Sequence, residues 1–167
     1  MEAIQDAFGG ATNSPADEPN LGVSELTALS VIGYNLIPKV TPPPFGVSNV
    51  SYKIGSSVFT NLRGHTHDGD TVDVTFTVVQ PAGEQLTLVS YQAPAATFSA
   101  ATADQQTVLD SVSAFYKPGT YTVTLKLPSN GHYQIDFVAG SVITKFGPAG
   151  SKTFYSAEDR LISADNE

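Results

Sequence analysis

Thr71-Val72-Asp73-Val74-Thr75-Phe76-Thr77-Val78 alternates polar and apolar side chains at every step. A period of two marks a strand, because successive side chains leave a pleated backbone on opposite sides. Val72, Val74, Phe76 and Val78 are thus set to meet a core, and Thr71, Asp73, Thr75 and Thr77 to meet water. Tyr121, Val123, Leu125 and Leu127 alternate in the same way with Thr120, Thr122, Thr124 and Lys126. So do Tyr133, Ile135 and Phe137 with Gln134, Asp136 and Val138.

Weaker strand candidates lie at Val47–Ile54, Ser57–Asn61, Gln85–Tyr91, Thr107–Phe115, Ser141–Phe146 and Lys152–Tyr155. Turn chemistry separates them: Asp68-Gly69, Pro81-Ala82-Gly83, and Lys117-Pro118-Gly119, which suits a type II turn. Ser129-Asn130-Gly131 suits a two-residue type I′ hairpin. The small-residue run Ala93–Asp104 reads as a crossover from one sheet to the other. Many short strands, with no helices alternating between them, predict an all-β chain. The expected architecture is an antiparallel two-sheet sandwich, jelly-roll or immunoglobulin-like.

Upstream the pattern changes. Residues 1–23 are rich in Gly, Asn, Asp and Pro and read as loop. Ser24 suits a helix N-cap, and Leu26, Leu29, Val31, Ile32 and Leu36 recur near a helical spacing, so a short helix closes the segment 1–36. Residues 37–46 hold Pro42-Pro43-Pro44, which neither continues a helix nor joins a ladder and acts as a semi-rigid spacer. The sandwich is expected over 47–157, with 158–167 as an acidic tail trailing from it.

The 167 residues carry 8 Lys+Arg against 16 Asp+Glu, a net charge of −8. That balance excludes a basic nucleic-acid footprint and a polybasic membrane patch. No run of about 20 apolar residues offers a membrane span. With no Cys, disulfides, thiolate metal ligands and thiol nucleophiles are all excluded. Gly-x-Ser-x-Gly, the phosphate-binding loop and His-Glu-x-x-His are missing too, so nothing in the sequence points to an enzyme.

One turn concentrates metal-binding chemistry. His65, His67, Asp68 and Asp70 set two imidazoles and two carboxylates within six residues, a candidate site for calcium or a transition metal. The competing reading is a hydrophilic turn that introduces the strand at Thr71. His132, next to Gly131, is expected in solvent. The aromatic residues Tyr52, Tyr91, Phe115, Tyr116, Tyr121, Tyr133 and Phe137 mostly run in phase with apolar neighbours and are assigned to the core.

Two stretches carry resemblances. Residues 70–78, 88–94, 105–110, 118–125, 133–138 and 160–166 resemble a β-domain of uncharacterised role that recurs in exported and cell-surface proteins of bacteria. Among their words are Leu88-Val89-Ser90-Tyr91-Gln92-Ala93-Pro94 and Arg160-Leu161-Ile162-Ser163-Ala164-Asp165-Asn166. Ser24–Leu36, with its Ile32-Gly33-Tyr34-Asn35-Leu36 word, is similar to the closing helix of secreted bacterial zinc-metallopeptidase-like domains. The first resemblance implies export and a modular, non-catalytic role. The second implies the C-terminal piece of a longer exported protein and transfers no catalytic residue. The expected function is therefore an extracellular structural or binding module: a scaffold, adhesion unit or self-assembling surface subunit. Its partners would be a protein, or a second copy joined through a sheet edge. The alternatives are an accessory carbohydrate-binding module of a secreted hydrolase, with a glycan as ligand, or a zinc-peptidase remnant.

Overall fold

A computed structural model describes residues 44–149 and 151–167, and the helix expected within 1–36 lies outside them. The strands are β1 (Val47–Ile54), β2 (Ser57–Phe59), β3 (Thr71–Val78), β4 (Glu84–Gln92), β5 (Thr107–Tyr116), β6 (Gly119–Lys126), β7 (Tyr133–Ala139) and β8 (Leu161–Asn166). They form two antiparallel four-stranded sheets, ordered β2-β1-β3-β6 and β5-β4-β7-β8.

The alternating segment lies at the heart of the first sheet. β3 pairs with β1 on one side and β6 on the other, setting Val72 opposite Leu125, Val74 opposite Val123 and Phe76 opposite Tyr121. On its other face, Thr75 and Thr77 share hydroxyl hydrogen bonds with Thr122 and Thr120 at 2.9 and 3.0 Å. The apolar face joins Leu86, Leu88, Tyr133, Ile135 and Phe137 of the second sheet in one buried cluster. Phe76 stands edge-on to Tyr116, with ring centroids 5.1 Å apart, and lies 5.4 Å from Phe137. Burying such side chains contributes about 1.5–3 kcal/mol each, so this shared cluster is the main stabilising term.

The second sheet differs in being covered on its outer face as well. Every residue of β7 is buried. The long connections, 93–106 and 140–160, lay a second cluster over it, built from Val89, Tyr91, Val138, Ile143, Phe146, Phe154 and Tyr155. Ser141–Phe146 and Lys152–Tyr155 are accordingly not strands but parts of this irregular cover. Their apolar residues gain burial by lying across the sheet, so a ladder is not needed to hold them.

Three further expectations are corrected. Residues 158–167 do not trail away: β8 pairs with β7 from Gln134↔Asn166 to Val138↔Leu161. The sheet-forming region therefore extends past 157. The run Ala93–Asp104 does not change sheets, since β4 and β5 are neighbours and this connection returns to the same sheet. Instead the short turns cross: 79–83, 117–118 and 127–132 each link strands of different sheets. Ser129-Asn130-Gly131 is thus an arch between layers, not a hairpin, although Gly131 does take a positive φ of 85°. Local turn chemistry sets backbone dihedrals, whereas the choice between hairpin and arch depends on which layer receives the next apolar face.

Candidate functional site

β7 carries Gln134 and Asp136 away from the central core, in phase with Val138. In a sheet open to water these side chains would be solvated. Here the cover formed by 93–106 and 140–160 seals them in, and Asp136 is fully buried. A polar row runs across this face. Gln106 Nε2 donates to Gln134 Oε1 at 3.0 Å, and Gln134 Nε2 donates to Asp136 Oδ2 at 2.7 Å. Each bond fixes the orientation of the next amide, because the carboxylate can only accept. The row ends in two buried acceptors, Gln106 Oε1 and Asp136 Oδ1, that have no donor among the described residues. Burial pushes the Asp136 carboxyl up from 3.8 to about 7, against a partial pull downward from the Gln134 bond.

Asp136 lines a pocket of about 150 Å³. Aromatic rings share its lining with polar and charged side chains, Arg63 and Asp165 among them: Phe146 and Phe154 stack at 5.8 Å and 13°, and Phe98 meets Phe154 edge-on at 6.2 Å. Phe98 is 42% exposed and forms the outer wall. Tyr155 closes the remaining side, held by a ring of hydrogen bonds. The Ile143 N–H donates to Tyr155 Oη at 2.7 Å, the two hydroxyls of Tyr155 and Tyr91 meet at 2.7 Å, and Tyr91 donates to the Ile143 carbonyl at 2.9 Å. Arg160 stacks over the Tyr155 ring at 5.2 Å and donates from Nε to the Ala139 carbonyl, tying the cover to the end of β7. Asn166 donates to the Ala96 carbonyl and so anchors the segment that carries Phe98.

The histidine-bearing turn has a different fate. Asp165 of β8 reaches into the backbone of 64–66. The Gly64 amide donates to Oδ1 at 2.9 Å, while the Thr66 amide and hydroxyl donate to Oδ2 at 3.0 and 2.7 Å. His65 N–H adds a fourth bond at 3.2 Å. Burial alone would raise the Asp165 carboxyl, but these donors outweigh it and leave its pKa below 3.8. Tyr133 donates to Thr66 Oγ1 at 3.0 Å, linking the clamp to the core.

The four residues predicted as metal ligands are placed individually. The His65 ring stacks on Phe59 at 3.9 Å. His67 Nδ1 lies 3.6 Å from Asp70 Oδ2, which also accepts from the His67 amide at 2.9 Å. Asp68 is exposed. Among the described residues, no three His, Asp or Glu side chains are gathered around one point. His132 is exposed, as expected, while Phe115, assigned to the core, is 57% exposed. Phe115 lies on the edge strand β5, where its ring covers Gly83.

The pocket residues escaped the sequence reading. Asp136 was visible as an acid inside a strand, but the signal that it is buried lies in the apolar residues of 142–155, far along the chain. No family model, curated protein or solved structure matches this chain.

Proposed function

We propose that the chain is an immunoglobulin-like β-sandwich serving as a non-catalytic structural and binding module outside the cell. The strand orders support the immunoglobulin-like form over the jelly roll. With β1, β3 and β6 as strands A, B and E, and β5, β4, β7 and β8 as C′, C, F and G, seven of the eight strands follow that topology, and β2 adds an edge strand beside A.

The observation that carries the binding role is the aromatic-walled pocket closing on Asp136. A carboxyl that burial pushes up to about 7, in the lining of a pocket, is the kind of perturbed acid that marks a candidate binding site. A catalytic carboxylate pair is not supported. Asp165, the other acid lining the pocket, has both oxygens engaged by the 64–66 backbone and Thr66. Self-association remains part of the reading, through the edge strand β5, which exposes Leu109 and Phe115. A glycan-binding role is the second reading, favoured by the exposed aromatic ring of Phe98 at the mouth of the pocket.

The test is a fragment screen by protein-observed NMR. Ligands should shift the ring resonances of Phe98, Phe146, Phe154 and Tyr155 together. Ala164→Leu, which fills the pocket from β8, should abolish those shifts. Shifts unaffected by Ala164→Leu, or none at all, would remove the binding role.

A further inference from the structure

We infer that the pocket beside Arg63 is a receptor for a compact aromatic carboxylate, its ring among the buried aromatic side chains and its carboxylate at the mouth on the Arg63 guanidinium. The inference rests on the binding role proposed above and names its ligand class.

The lining divides by exposure. Phe146, Phe154 and Tyr155 are buried and make the interior, whereas Arg63, Ser156 and Asn166 are exposed and rim the opening. The volume, about 150 Å³, matches a dry apolar cavity able to hold a benzene-sized molecule. One aromatic ring therefore fills it, and a polar substituent on that ring is left at the rim. Phe98 and Phe146 already pack on Phe154 at centroid distances of 6.2 and 5.8 Å, and a planar ligand ring adds contacts of the same kind.

The rim selects an anion. Arg63, before β3, makes no ion pair among the described residues. Its planar fork of donors matches a carboxylate through two parallel hydrogen bonds. Asn166 has a second amide hydrogen besides the one given to the Ala96 carbonyl, and Ser156 adds a hydroxyl. The two acids of the lining present no open oxygen to a cation. Asp136 is sealed from the surface, and both oxygens of Asp165 are engaged by donors of Gly64, His65 and Thr66. Burial keeps Asp136 protonated in mildly acidic solution. Only Asp165 then opposes an anion, and its four donors already offset its charge.

The experiment is calorimetric titration of the whole chain at about pH 6, where Asp136 is mostly neutral. The probes are benzoate, benzyl alcohol and benzylammonium, which share one ring and differ in charge, and acetate, which has the charge without the ring. Titrations are run on wild type, Arg63→Ala, Arg63→Lys and Ala164→Leu, with far-ultraviolet spectra to establish that each variant is folded. Wild type should bind benzoate about fivefold or more tightly than benzyl alcohol or benzylammonium, a modest factor because Arg63 is exposed. Acetate should bind too weakly to measure. Arg63→Ala should bring benzoate down to the affinity of benzyl alcohol and leave benzyl alcohol unchanged. Arg63→Lys should keep part of the preference, since a point charge replaces the fork. Ala164→Leu should abolish binding of all three ring probes.

Equal affinity for benzoate and benzyl alcohol, or a preference for benzylammonium, with the loss in Ala164→Leu retained, would overturn the anion assignment while leaving the pocket as a binding site. A benzoate preference that survives Arg63→Ala, or acetate bound as tightly as benzoate, would also refute the inference. No binding of any ring probe would overturn the inference and the binding role together.

Discussion

Asp136→Asn should stabilise this protein, and by an amount that depends on pH. In the unfolded chain the carboxyl ionises near 3.8, and in the fold only near 7. Between those values the folded state holds a proton that the unfolded state has released, so stability falls as pH rises. Below 3.8 both states are protonated and the group is neutral in its effect. Above about 7 the full difference is felt, roughly 4 kcal/mol at about 1.4 kcal/mol per tenfold change in protonation. Stability of a domain this size is about 5–15 kcal/mol, so the effect is a large share of the whole. Asparagine keeps the shape and can still accept from Gln134 Nε2 through its carbonyl, but never ionises. The variant should match wild type within about 1 kcal/mol near pH 4 and exceed it by up to roughly 4 kcal/mol near pH 8. The assay is urea denaturation followed by far-ultraviolet circular dichroism and tyrosine fluorescence, which is usable because the chain has 7 Tyr and no Trp. A stability difference that stays constant across this pH range would refute the argument that burial holds Asp136 protonated.

Other perturbations test the supports of the pocket. Asp165→Ala removes the acceptor for four donors of the 64–66 turn and should cost about 3 kcal/mol near neutral pH. Because its folded pKa is lowered, this contribution is present above 3.8 and is lost as pH falls through the folded value; urea midpoints of the two proteins should converge in acid. Tyr91→Phe and Tyr155→Phe each break the hydroxyl ring at Ile143 and should cost about 1–2 kcal/mol. A double-mutant cycle should return a coupling of about 0.5 kcal/mol or more, and strict additivity would show that the ring is not cooperative. Deleting residues 158–167 removes β8, which uncovers β7 and takes away both Asp165 and the Asn166 anchor. Size-exclusion chromatography should then find aggregate, whereas a folded monomer would show β8 to be dispensable.

The central strands were legible because their burial is one-sided. β3 and β6 each bury one face and wet the other, so Val72–Val78 and Tyr121–Leu125 wrote the period directly into the chain. β7 kept the period in its residue types, although both of its faces are buried. β8 was hidden by the opposite circumstance. Ser163 and Asp165 are polar yet engaged with the protein, because they accept from the Leu62 amide and the 64–66 turn, so the strand imitates a polar tail. The histidine turn carries a second such long-range dependence. Its residue types suit a metal, but its geometry answers to the Asp165 carboxylate, about a hundred residues away along the chain.

The alternation of side chains settled the class of fold before any coordinates, since a two-residue period with turn-forming breaks leaves pleated sheets as the way to bury those faces. The tertiary arrangement alone decided which turns join the layers, which strand closes the second sheet and where an acid is removed from water. Those outcomes depend on contacts between residues distant in sequence. Asp136 on its own strand is an ordinary outward-facing carboxylate; Phe146, Phe154 and Tyr155, arriving from the next connection, make it a buried one.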